Sequence, residues 1–249
     1  MNPPPLILAH GWALNRAIWQ PLIDLLADHF HCHPLDLPGH GKRAAETCPT
    51  TIEALAAQIL DTAPKHPAHW LGHSLGGMAA LQAAQQAPQR FISLRLLCTT
   101  PRFTQTTDWP HGTALDRFAQ FAAELQRNYR GGLRKFLLLQ AGPTREARRL
   151  TQQTLKLLAQ HPAPSPATLA AGLTILRTAD LRPALPKLHL PTQIIIAQRD
   201  RITHPAAGHA LHRLLPAAQL ATLNSGHAPM LSHPQDLARQ LRQFTPTPP

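Results

Sequence analysis

The stretch WLGHSLGGMAALQAA, Trp70 to Ala84, carries an apolar segment into a glycine-flanked serine and then into an alanine-rich segment of helical character. A serine at such a junction can be an ordinary helix cap, and glycines are common wherever a strand turns sharply into a helix. A phosphate cradle is the other familiar use of such a turn, but the Gly-x-Gly-x-x-Gly spacing and the Lys-Ser/Thr pair are both absent. What stands here is Gly72-His73-Ser74-Leu75-Gly76. The Gly-x-Ser-x-Gly pattern holds a serine on a strained strand-to-helix turn, and its glycines let neighbouring backbone approach closely enough to permit that turn. It therefore demands a strand before Ser74, a helix after it and a hydroxyl raised above the sheet. Five-residue patterns also arise by chance, so the rest of the chain must supply that context.

Short apolar runs recur at Leu6 to Ala9, His31 to Leu37, Ala68 to Leu71, Ile92 to Thr99, Thr192 to Ala197 and Ala218 to Leu223. Helical patterns follow them, and strands alternating with helices imply a parallel sheet. Thr50-Thr51-Ile52-Glu53 offers a capping box, after which Ile52, Leu55, Ala56, Ile59 and Leu60 share one helical face. Beyond Thr100 the alternation stops for some eighty residues, where Phe118, Phe121, Leu125, Leu133, Phe136 and Leu137 suggest amphipathic helices without strands. The expected organisation is an α/β sheet domain of residues 1–100 and 184–249 with a helical cap, residues 101–183, inserted into it. Pro162, Pro164 and Pro166 mark a break between two cap helices, because each proline disfavours helix at the residue before it.

At 249 residues the chain can form one large domain with a single core. Hydrophobic residues at 43% against 15% charged exclude intrinsic disorder. The start, Met1-Asn2-Pro3-Pro4-Pro5, lacks a basic region, and Leu6 to Ala9 is too short for a signal core or a membrane span, so a cytoplasmic protein without membrane attachment is expected. Cys32, Cys48 and Cys98 are odd in number and lack Cys-x-x-Cys spacing, which favours reduced thiols. His29, His31 and His33 fall on one face of a strand, yet no fourth ligand follows at a recognisable spacing, and no metal is expected. The formal charge of +11 raises anionic partners, but no nucleic-acid module accompanies it. Ten basic residues against four acids between Arg102 and Gln160 concentrate +6 of that charge in the cap. A solvated surface accounts for such a concentration equally well.

A nucleophilic serine needs a base, and the base needs an orienting carboxylate. Of the six acids between Ser74 and the late histidines, only Asp200 directly follows a strongly apolar run, Ile194-Ile195-Ile196-Ala197, which places it at a carboxyl strand end. Asp108 is the alternative. Among sixteen histidines, His227 stands out by its setting, a loop after a strand pattern and before the last helix, whereas His233 marks the start of that helix. An oxyanion hole takes one backbone N–H from the residue after the serine, Leu75, and one from the loop after an early strand. His10-Gly11-Trp12 suits that loop, although Trp12 could equally be plain core.

With these residues in hand the chain resembles the α/β-hydrolase superfamily, and within it the pimeloyl-[acyl-carrier protein] methyl ester carboxylesterases of biotin synthesis. The likeness runs nearly end to end: HGWALNRAIW (10–19), DLPGHG (36–41), WLGHSLGG (70–77), TPRFTQTTDWP (100–110), KFLLLQ (135–140), GLTILRTADLR (172–182) and GHAPMLSHP (226–234). It implies the α/β-hydrolase fold, a mostly parallel sheet flanked by helices, and a serine esterase without cofactor that removes the methyl group from a pimeloyl chain carried on acyl-carrier protein. Carried over by position, Ser74, Asp200 and His227 are the triad and Trp12 and Leu75 contact the ester. Phe136, Leu137, Leu138, Leu139 and Gln140 would line the acyl channel. Arg130, Arg134, Lys135, Arg145, Arg148 and Arg149 flank that stretch and would dock the acidic carrier, with the enzyme itself a monomer. The leading strands usual in this fold are not visible ahead of His10-Gly11, which leaves a sheet edge to be managed. A general carboxylesterase or thioesterase would use the same triad, and a non-catalytic receptor on this scaffold remains a reading from outside enzymes.

Overall fold

The structure, a computed structural model, describes residues 3–141 and 147–244. Six strands form one sheet: β1 (Pro5–Ala9), β2 (His31–Leu35), β3 (Ala68–His73), β4 (Phe91–Leu97), β5 (Thr192–Ala197) and β6 (Gln219–Leu223). Their order is β2-β1-β3-β4-β5-β6 and every pairing is parallel. All six apolar runs read from the sequence are strands. The central strands β1, β3, β4 and β5 are buried on both faces and need no polar alternation, which is why they read as continuous apolar segments, whereas the edge strands β2 and β6 are partly exposed. Ile7, Trp70, Leu96, Ile194 and Ile196 serve one face, and Leu6, Leu8, Leu71, Leu97 and Ile195 serve the other. Successive side chains on a strand point to opposite faces, so each run feeds two cores at once.

Helix α1 (Gln20–Leu26) packs one face, and α2 (Ile52–Thr62) and α3 (Leu75–Gln86) pack the other. The five residues predicted for the buried face of α2 are its five buried residues, and the Thr51 hydroxyl accepts from the Ala54 N–H at 3.3 Å to cap it. Truncating Leu55 or Ile59 to alanine is expected to cost about 2–5 kcal/mol through lost burial and a cavity. Between β4 and β5 the described residues form four α-helices and no strand of the sheet: α4 (Leu115–Arg127), α5 (Tyr129–Ala141), α6 (Ala147–Leu158) and α7 (Pro166–Thr178). The proline-rich break falls between α6 and α7, and the Ser165 hydroxyl accepts from the Thr168 N–H as α7 begins. The sheet domain closes with α8 (Pro205–Leu214), α9 (Pro229–Ser232) and α10 (Pro234–Gln243), the last packing beside α1.

The chain leaves β1 for β2 on one side and returns to β3 on the other side of β1. That reversal makes a topological switch point at the carboxyl ends of β1 and β3, where open α/β sheets bind ligands. The edge beyond β1 is β2 itself. Pro34, paired in register with Leu8, has no N–H to offer another strand, so the edge is blunted where it is most regular. Among the described residues no helix is long and apolar enough to cross a membrane. The three cysteines are unpaired, and burial pushes the Cys32 and Cys48 thiols up to about 11.

Candidate active site

Ser74 sits between β3 and α3 with φ 53° and ψ −120°, a conformation costing about 1–3 kcal/mol that the surroundings must hold. They hold it from three sides. The Ser74 N–H donates to the Leu97 carbonyl at 3.0 Å, and the Thr99 hydroxyl donates to the Ser74 carbonyl at 2.7 Å. A β-carbon on Gly76 would overlap the Ala9 and His10 carbonyls, and one on Gly72 would overlap Gly76 and Gly77. Both glycines of the motif are thus required by close backbone approach, as the spacing implied.

The acid and the base arrive from the last two strands. Asp200 follows β5 and His227 follows β6, and both are buried. His227 Nδ1 lies 2.7 Å from Asp200 Oδ2, while Asp200 Oδ1 accepts from the backbone N–H groups of Ile202 at 2.8 Å and Thr203 at 2.9 Å. The carboxylate can only accept, so hydrogen bonding assigns the proton to Nδ1 and leaves a lone pair on Nε2. That Nε2 is buried and has no hydrogen-bond partner among the described residues. Asp108, the alternative acid, is remote in role: it is exposed, accepts from the Thr106 hydroxyl and pairs with Arg182 at 3.0 Å. Those hydrogen bonds hold its carboxyl below the usual range. Asp180 joins the same network through Arg102 and Arg182, which explains the TADLR segment as a clamp between the start and the end of the inserted helices.

Buried imidazoles surround the pair. His73 Nε2 donates to the His227 carbonyl at 2.8 Å, and the two rings lie 4.7 Å apart. His10 donates through Nδ1 to the Gly11 carbonyl and accepts the Leu37 N–H at Nε2, fixing the loop after β1. Burial, aided by neighbouring His40, lowers His10 to about 3, and burial beside His227 holds His73 well below its ordinary value. Both are neutral structural groups at physiological pH. Asp36 of DLPGHG ties the same region by accepting from the N–H groups of Arg16 and Lys42.

A cavity of about 150 Å³ opens beside Ser74. Trp12, Phe103, Phe118, Phe121 and Phe136 give it an aromatic wall. Trp12 meets Phe136 edge-on at 4.9 Å, and its indole N–H is committed to the Leu169 carbonyl at 3.0 Å, so only its backbone N–H is left for a ligand. Of the five residues expected to line an acyl channel, Phe136 and Leu139 reach this cavity. The other three do not: Leu138 is exposed, Leu137 belongs to the core on the α1 side of the sheet, and Gln140 is buried elsewhere. Three to four residues make a helical turn, so one face of α5 can present only positions such as 136 and 139. Arg117, Arg201 and Thr113 also line the cavity and were not anticipated. Exposed charges carry no periodic signal, although the place of Arg201 directly after Asp200 was a clue.

Of the proposed docking residues, Arg134, Lys135, Arg148 and Arg149 are exposed on α5 and α6, and Lys135 pairs with Glu124 at 2.8 Å. Arg145 and the side chain of Arg130 lie outside the described residues. The His31 and His33 rings lie 4.4 Å apart, tilted by 52°, but among the described residues only Cys98, Asp200 and His227 bring three ligand atoms together. In that trio Asp200 and His227 are already hydrogen-bonded to each other.

Known proteins resemble this chain along nearly its whole length. Residues 4–234 match the family described as alpha/beta hydrolase fold. The chain is 40% identical over 97% of its length, and 94% of the relative's, to a pimeloyl-[acyl-carrier protein] methyl ester esterase of Xanthomonas oryzae pv. oryzae. A protein of the same name from Stenotrophomonas maltophilia is also 40% identical, over 97% of this chain and 92% of that one. Among solved structures, an esterase from Exiguobacterium antarcticum superposes with a TM-score of 0.86 at 23% identity, covering 98% of this chain and 92% of the other, which speaks to the fold.

Proposed function

The chain belongs to the alpha/beta hydrolase family, among its pimeloyl-[acyl-carrier protein] methyl ester esterases, and on that premise we propose the step it performs. It is a carboxylic ester hydrolase that releases methanol from the methyl ester of a pimeloyl chain on acyl-carrier protein, in biotin synthesis. The observation that carries the reading is the buried His227–Asp200 pair at 2.7 Å, with the far imidazole nitrogen unpartnered, in the same site as a strained Ser74 on an apolar cavity.

The residues then divide the work. His227 takes the Ser74 proton at Nε2 as the hydroxyl attacks the ester carbonyl, and Asp200 holds the ring and stabilises the imidazolium. Leu75 opens α3, so its N–H has no acceptor within the helix, and with the Trp12 N–H it stabilises the oxyanion. Methanol leaves with the proton, and water completes the cycle by the reverse sequence. No cofactor enters this chemistry. The aromatic wall holds the methylene chain, residues 101–183 act as the cap, and the exposed arginines of α5 and α6 receive the acidic carrier. The enzyme works as a cytoplasmic monomer.

The test is incubation with methyl-pimeloyl carrier protein, following the loss of one methyl group by mass. Turnover by the native chain, lost by about 10⁴-fold in Ser74→Ala, is the expected result. An unchanged substrate, or substantial activity in the variant, would overturn the reading.

A further inference from the structure

The cavity beside Ser74 leads to a second, larger one of about 540 Å³, and five residues line both: Phe103, Thr113, Arg117, Arg201 and Ile202. These five form the neck between an apolar interior and an open vestibule. The two arginines come from independent elements. Arg117 stands on α4, and Arg201 follows Asp200 in the loop after β5. Both are exposed, and among the described residues neither has an ion-pair or hydrogen-bond partner. No carboxylate lines either cavity, while the vestibule adds His111 and His204. Free guanidiniums facing one neck, with an apolar chamber behind them, suit a ligand with an apolar chain and one anionic end.

From this arrangement we infer that the enzyme also hydrolyses carrier-free half-esters of straight-chain dicarboxylic acids. The ester lies at Ser74 and the free carboxylate rests at the neck between Arg117 and Arg201. The inference rests on the reading of Ser74 as nucleophile and names a further substrate class for that site. Chain length decides which anion the neck can read. The two carboxyl carbons of a seven-carbon diacid are about 7 Å apart when extended, whereas the phosphodiester of a carrier's pantetheine arm lies about 16 Å beyond the thioester. An anion held at a neck that shares its chamber with Ser74 therefore belongs to the acyl chain, and the arm's phosphate falls well outside. The chemistry balances as ordinary hydrolysis: the Ser74 oxygen displaces methoxide, which leaves as methanol with the proton from His227. Water then cleaves the acyl-serine, giving the dicarboxylate and one proton.

The experiment compares methanol release from monomethyl pimelate with that from methyl heptanoate, which has the same chain length without the carboxylate. At low salt kcat/KM for the half-ester is expected to exceed that for the neutral ester by at least about tenfold, and rising ionic strength should shrink the ratio. In the double variant Arg117→Gln/Arg201→Gln the ratio should fall to near one. Because both substrates are read on the same protein, a folding defect cancels. Arg213→Gln, on α8 and away from both cavities, should keep the native ratio; an equal fall there would assign the preference to the general positive field and overturn the local reading. A native ratio near one, with both esters cleaved, would overturn the inference alone. If neither ester is cleaved the inference fails; if, besides, Ser74→Ala still demethylates methyl-pimeloyl carrier protein at the native rate, the serine reading fails with it.

Discussion

The ring of His73 holds the main-chain carbonyl of His227 at 2.8 Å, so the residue before the proposed nucleophile fastens the loop that carries the proposed base. The bond crosses from β3 to the segment after β6, two strands that do not pair.

His73→Phe keeps a ring of similar size but leaves the His227 carbonyl buried without a donor, at a cost of about 1–3 kcal/mol. We expect kcat to fall by about tenfold or more with KM little changed, because His73 shapes the base rather than the chain-binding wall. His73→Gln, which restores a donor, should recover part of the loss. Steady-state kinetics on a short p-nitrophenyl ester would check both, and equal activity in all three proteins would refute the positioning role.

Asp200→Asn should lower kcat by roughly 10⁴-fold, in line with the handling of a serine protease triad, because the amide favours the wrong tautomer of His227. Asp108→Asn should leave kcat within a few-fold, since Asp108 is exposed and only pairs with Arg182 at the surface. The opposite ranking in a side-by-side assay would move the acid to Asp108.

Stability should fall on mild acidification. His10 is lowered to about 3 and His69 to about 4, chiefly by burial, and His40 and His73 are lowered as well. Below about pH 6.5 the unfolded chain binds protons on these imidazoles that the folded chain refuses, so the free energy of unfolding drops as pH falls. For His10 the loss runs from about 6.5 down to about 3, near 1.4 kcal/mol per pH unit. Urea midpoints at pH 7.5, 6.5 and 5.5 would read this directly; a midpoint that stays level across that range would show these histidines to be protonated in the fold.

Reversing Arg148 and Arg149 to glutamate should lower kcat/KM for the carrier-bound ester several-fold relative to a small neutral ester. The ratio should be most affected at low salt, because exposed charges steer encounter and are screened over about 8 Å at physiological ionic strength. A ratio that does not move would return the exposed arginines of α6 to the role of solvated surface.

Much of this architecture was readable from residue order. Ile194 to Ala197 announced a buried strand because both its faces are covered, and Asp200 inherited its position from that strand's end. Ser74 was legible through the glycines that its backbone crowding requires. The chamber was less so. KFLLLQ reads as one apolar block, yet helical geometry splits it, burying Phe136 in the cavity wall, leaving the exposed Leu139 at the cavity's edge and turning Leu138 to solvent. Arg117 and Arg201 were invisible because a charged residue reveals its neighbours only when a fold brings distant elements together. The grip of His73 on His227 spans 154 positions, and no local pattern encodes it.

Trp12 joins the chamber to the chemistry. Its indole is fastened to the Leu169 carbonyl of α7, and Gly172, where a β-carbon would strike the indole, lets that helix press against it. The same residue's backbone N–H is a proposed donor to the oxyanion. Lifting α7 away from the sheet would pull on that donor as it opened the chamber. The joint is a mechanical coupling: how closely α7 seats on the indole bears directly on where the Trp12 N–H points.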